Sequence, residues 1–373
     1  MKRKIFSAAM IVAIAFLSGC RAKKSSDGNA TVICFDREQA AQHVALHDSE
    51  EIVFEDLLNP AVFRVMYDTL VVVQNQPNCD HLLEIYSLPG KSRIAQFAAK
   101  GGGPEDFLSC DCYVYSGADS LIYAIDRQKT ICYVVSLPSS LATGRLEYRK
   151  RFRYDAEVHP YSDILVVDGE HYVGYGLWYL NSKKYSNHVP ALKRYTMEAP
   201  DNQSAPNNID MGQHDYFVAS VNDARLAINP STKEIWLLDG HQDKIDIYND
   251  SLQIIRTLSG PDGYQLSYTD VQSNIPIPFV MFTNSKTFRS YTDYTFTDKY
   301  LYVIYEGING TDYNREDLQP VEILKFDLQG HLVCTYRADR FLISISVDSK
   351  EEYLYGTART SVMEEAHFVK YKL

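Results

Sequence analysis

The stretch Asp298-Lys299-Tyr300-Leu301-Tyr302-Val303, followed by Ile323-Leu324-Lys325-Phe326-Asp327-Leu328, reads as a polar turn and two apolar strands. Tyr, Leu, Val and Ile suit a pleated, half-buried surface, and Asp suits the tight turn before it. The same signature opens at Asp68, Asp119, Asp168, Lys233 and Glu351. Second strands follow at Leu83-Glu84-Ile85-Tyr86, Ile131-Cys132-Tyr133-Val134, Lys244-Ile245-Asp246-Ile247-Tyr248 and Phe368-Val369-Lys370-Tyr371, with a weaker one at Ala191-Leu192-Lys193-Arg194-Tyr195.

A unit repeated about every 50 residues, with two longer steps, predicts an all-β six-bladed β-propeller rather than a sandwich. Such a ring has to close, and Phe368 to Leu373 is expected to pair with a strand from Ile52 to Leu57, leaving no long open edge. The longer steps hold two insertions, Asn181 to Asn208 and Pro261 to Tyr291, where a binding face is first to be sought.

Composition supports a packed fold, with 45% hydrophobic and 12% aromatic residues. The net charge of −11 would repel polyphosphate, so nucleic acid is excluded as a partner. The local basic run from Arg145 to Arg153 reads as a solvated face. Apart from Cys20 there are six scattered cysteines, and Cys110-Asp111-Cys112, the one close pair, lacks the second pair or histidine that a zinc site needs.

The N-terminus is an address. Lys2, Arg3 and Lys4 precede an apolar run from Ile5 to Leu17, the layout of a secretory signal too short to span a membrane. Leu17-Ser18-Gly19-Cys20 resembles the bacterial lipobox, which implies a lipid (palmitate) anchor on Cys20. The expected organisation is residues 1–19 as lipoprotein signal peptide, 20–50 as lipidated cysteine, tether and short helix, and 51–373 as the propeller. Arg21-Ala22-Lys23-Lys24 is basic where surface-exposed Bacteroidota lipoproteins carry acidic residues, so an outer-membrane lipoprotein facing the periplasm is expected, held to the membrane through Cys20.

The helical lead-in is expected over Asp36 to His47, with Asp36 as N-cap and Ala40, Ala41, Val44 and Ala45 favouring helix. It would set His43 and His47 on one face. Val44 stands where a zincin needs its glutamate, so metalloprotease chemistry is excluded there.

Gly101-Gly102-Gly103-Pro104-Glu105-Asp106-Phe107 is the other distinctive stretch. Together with Leu57-Leu58-Asn59-Pro60, the lipobox and the six-unit period, it resembles the BF3164-type lipoproteins of Bacteroidota, described as TolB-like six-bladed β-propellers. The resemblance implies fold and location and carries over no catalytic residue. The glycines permit close backbone approach and an anion-binding nest, but Glu105 and Asp106 oppose an anion. A blade-to-blade crossover with Phe107 plugged into the core is the favoured reading.

No Gly-x-Ser-x-Gly elbow, P-loop or Cys-x-x-Cys occurs. The leading expectation is a non-catalytic binding or scaffold module for a peptide, protein or glycan, with Tyr172, Tyr175, Trp178 and Tyr179 as ligand-facing aromatics among 28 tyrosines. The alternative is a calcium-dependent lactonase-type hydrolase, which would hold its metal on the propeller axis with Glu, Asn and Asp.

Overall fold

In the computed structural model, residues 23–24, 30–54, 56–57, 60, 62–75, 79–114, 121–154, 164–175, 192–197, 224–264, 269–271, 279–281, 288–312 and 316–373 are described. The alternating strands form six antiparallel blades. The first contains Val62–Met66, Leu70–Gln74, His81–Ser87 and Ser92–Ala99. The second contains Asp111–Val114, Leu121–Asp126, Ile131–Ser136 and Tyr148–Arg153. The third has three described strands, Ile164–Val166, His171–Tyr175 and Leu192–Thr196. The fourth runs from Ala224–Ile228 on the inside to Ile254–Ser259, and the fifth from Phe288–Phe296 to Leu332–Ala338. Phe341–Val347, Tyr353–Arg359 and His367–Lys372 make the sixth.

Local chemistry explains the hairpins between first and second strands. Asp168 accepts the backbone N–H groups of Glu170 and His171, Asn229 those of Ser231 and Thr232, Thr297 those of Lys299 and Tyr300, and Asp348 those of Glu352 and Tyr353. Short polar side chains thereby satisfy donors that the turn leaves open. The sequence markers Lys233, Asp298 and Glu351 lie just after the residues that do this work.

Six apolar clusters fill the six spaces between neighbouring blades. Phe152 stacks on Tyr172 between the second and third, Trp236 packs on Phe296 between the fourth and fifth, and Phe63 meets Phe368 edge-on between the sixth and first. Each blade is covered on both faces, so its strands read as nearly continuous apolar runs such as the fully buried Ile131–Ser136.

The expected lead-in helix does not form. Asp36 does accept the N–H of Gln39, but the result is one 3-10 turn, Arg37–Gln39. The chain then runs as a strand, Gln42–Leu46, parallel to the outer strand of the fifth blade. Before the turn, Thr31–Cys34 runs parallel to the outer strand of the fourth blade, and after it Glu50–Glu51 pairs antiparallel with His367–Lys372. Open backbone groups on three blade edges reward extended pairing, and that tertiary gain overrides the weak helix preference of the alanines. Residues 31–51 are therefore a belt around the fourth, fifth and sixth blades, and Lys23–Lys24 pairs antiparallel with Thr31 and Val32 at its start.

Ring closure differs in register from expectation. Val369 and Lys370 face Glu51 and Glu50, and Ile52 donates to the Phe368 carbonyl at 2.8 Å. Ile52 and Phe54 then leave the sheet to plug the space between the last and first blades. The Gly101–Phe107 crossover forms as expected, with Phe107 1% exposed. Its would-be anion nest is filled from within, because the Asp106 carboxylate accepts the Gly103 N–H at 2.9 Å.

Candidate functional site in the central channel

The inner strands surround an axial opening of about 830 Å³, counting space open to solvent. Arg64 defines its chemistry. It sits in an otherwise apolar strand whose Phe63 and Met66 enter the packing on either side. Its guanidinium grips Asp293 of the fifth blade with two bonds, Nη2 to Oδ1 at 2.7 Å and Nη1 to Oδ2 at 3.1 Å. Asp293 Oδ2 also accepts the Ser344 hydroxyl and the Ile345 N–H of the sixth blade, each at 2.8 Å. Nη1 donates further to the Phe63 carbonyl at 2.7 Å and to Ser344 Oγ at 2.9 Å.

A forked, largely buried ion pair of this kind holds only because its remaining lone pairs and protons are satisfied. It ties three inner strands together where the ring closes. It also cancels the two charges, so the wall is mostly neutral. Val65, Ile164, Leu165, Leu226, Ile228 and Val347 supply apolar surface, Tyr123, Tyr294 and Phe296 supply rings, and Ser346 and Thr295 supply hydroxyls. The Tyr294 hydroxyl is held by the Leu226 carbonyl at 2.5 Å, which fixes that ring across two blades. Such a wall offers stacking and apolar contact with a few polar groups, as small-ligand and side-chain pockets do.

Asp293 is the one carboxylate of this cluster, and Arg64 occupies it. Among the described residues no three of His, Cys, Asp and Glu group closely enough to hold a metal ion. Cys110 is buried between the first two blades, and Asp111 pairs with Arg127.

Of the four expected ligand-facing aromatics, the Tyr172 side chain alone lies among the described residues. Tyr172 is 1% exposed, with ring centroids 5.1 Å from both Phe152 and Tyr195, so it is a core residue with no face for a ligand. A tyrosine in the middle of an inter-blade strand gains more by stacking than by facing water. Tyr175 lies opposite Leu192 at the end of its strand, and its side chain, like Trp178, Tyr179 and Cys20, lies outside the described residues. Sequence reasoning missed Arg64 and Asp293. The available signal was a lone charge in the run Val62–Met66 and an aspartate among the aromatics of Phe288–Phe296.

Six blades, a closed seam and an axial pocket define a six-bladed propeller. The chain belongs to the TolB-like 6-blade propeller-like family, whose profile matches residues 45–350. No curated protein matches it. Among solved structures, a member of the DUF4221 family from Bacteroides vulgatus is similar with a TM-score of 0.51 at 8% identity, covering 88% of this chain and 96% of that one. A Bacteroides fragilis protein described as exported is similar with a TM-score of 0.46 at 12% identity, covering 89% and 99%.

Proposed function

We propose that this chain is a BF3164-type lipoprotein, anchored through Cys20 to the periplasmic face of the outer membrane, whose propeller is a non-catalytic binding module for a peptide, protein or glycan. The observation that supports binding over catalysis is the channel wall, where rings, aliphatic groups and hydroxyls converge around a carboxylate already neutralised by Arg64. A lactonase-type calcium site needs several free carboxylates and amides on the axis, and the described lining holds neither, Asp293 beside it being gripped by Arg64.

The test is thermal shift of residues 21–373 against calcium, sugars and peptides. The binding module predicts a raised melting temperature with a sugar or peptide, lost in Leu226→Trp, which fills the channel. Stabilisation by calcium that EDTA reverses would instead favour the hydrolase. For the anchor, Cys20→Ser in the full precursor is expected to abolish palmitate incorporation and release the protein from the membrane fraction.

A further inference from the structure

The outer strands of four blades carry the same irregularity near their start. A single residue bulges out of register at Ile94 in the first blade, Arg149 in the second, Ile255 in the fourth and Val333 in the fifth. Beyond the bulge, the fourth and fifth blades each accept a parallel strand from the belt: Arg256–Ser259 takes Thr31–Cys34, and Cys334–Ala338 takes Gln42–Leu46. The corresponding run of the second blade, Lys150–Arg153, has the same bulge before it. Its outer edge has no partner strand among the described residues.

That edge differs chemically from the outer edges of the first and fourth blades. Arg256 on the fourth blade is paired with Glu234 at 2.6 Å, and Arg93 on the first with Glu84 at 3.1 Å. On the second blade Arg149, Lys150, Arg151 and Arg153 follow one another with only Phe152 between, and none pairs with a carboxylate among the described residues. Their contacts are to neutral groups: Lys150 to the Gly169 carbonyl, Arg153 to the Lys129 carbonyl and the Thr130 hydroxyl, Arg151 over the Tyr148 ring. Tyr148 is 39% exposed beside them. Lone lysines on edge strands discourage aggregation, but four neighbouring cations without a carboxylate partner among the described residues, in a chain of net charge −11, are a concentrated field of the opposite sign.

We propose that the outer edge of the second blade, Arg149 to Arg153, docks an acidic polypeptide segment by strand addition, in the manner in which the belt docks on the fourth and fifth blades. Main-chain bonds to the open edge would supply affinity, and the four cations would select carboxylates on the added strand. This surface is on the rim, and the proposal stands independently of what the channel binds.

The test uses the whole chain and three fluorescein-labelled peptides: alternating Glu and Val, alternating Lys and Val, and the Glu peptide with its backbone N–H groups methylated along one edge. Strand addition predicts anisotropy rise with the Glu peptide only, weakening as salt is raised from about 50 to about 500 mM. Slowed amide exchange should appear over residues 150–153. The Arg149→Glu, Lys150→Glu double variant should lose about tenfold or more in affinity. Equal binding of the methylated peptide would overturn strand pairing, and so would binding of the Lys peptide or no binding at all. Binding of anionic phosphatidylglycerol vesicles in place of the Glu peptide would reassign the edge to a membrane surface and equally overturn the proposal.

Discussion

Two halves of the ring solve the same edge problem differently. The fourth, fifth and sixth blades receive strands from residues 31–51, whereas the outer edges of the first and second stay open among the described residues. The bulges are shared, so the backbone geometry does not separate the halves. What separates them is the material laid on the edge. Belted edges bury Phe35 and Leu46, while the bare ones present Ile94, at 47% exposure, and the arginine row. The lesson is that a propeller's outer strand is a general acceptor, and the sequence of each edge decides whether it is filled from within or left for another chain.

The strongest way to break the belted side is at Phe35, which is 6% exposed and meets Phe326 edge-on at 5.1 Å. Phe35→Ala is expected to cost about 3–5 kcal/mol in urea unfolding, through lost burial and the cavity left. Gly260→Ala should come next, at about 2–3 kcal/mol. At φ +145° an added Cβ would stand 2.0 Å from the Phe35 carbonyl oxygen, so the belt has to move away, and residues 30–51 should become sensitive to limited proteolysis.

Acid should loosen the same region more mildly. Burial of Asp262 opposes its ionisation, but bonds from the Arg37 guanidinium and the Tyr305 hydroxyl outweigh this and hold its pKa below the usual carboxylate range. A carboxylate depressed in the folded state contributes stability that is present above its unfolded pKa, about 3.9, and is lost as pH falls through the folded value. Proteolysis of the belt should therefore rise below about pH 4, and Arg37→Met should flatten that step. The pair is partly exposed, so its contribution is about 1 kcal/mol. The smallest effect belongs to the bare side. Ile94→Ser should change stability by no more than about 0.5 kcal/mol, whereas Val333→Ser, at the equivalent bulge under the belt, should cost more. Equal costs would remove the distinction between the halves.

Legibility in the sequence follows the range of the interactions. Strand alternation and turn chemistry act over a few residues, so the blades were readable from runs such as Tyr300 to Val303, and Phe107 from its own crossover. The misread helix over Asp36 to His47 had the right cap and the right alanines. It lacked the information that an open edge waited at Leu332–Ala338, almost the whole chain away. Tyr172 was misread for the same reason, since its stacking partners come from a neighbouring strand and a neighbouring blade. Arg64 and Asp293 are separated by 229 positions, and no local pattern joins them.

The sequence by itself determined the strand periodicity, the number of blades and the acidic character of the chain, because each rests on local propensity or on composition. Only the tertiary structure decided that residues 31–51 are a belt, that Arg64 and Asp293 neutralise each other beside the channel, and that the basic run after Arg145 lies along an edge open among the described residues. Those facts depend on which distant surfaces close against one another, and a closed ring sets that by bringing its first and last strands together.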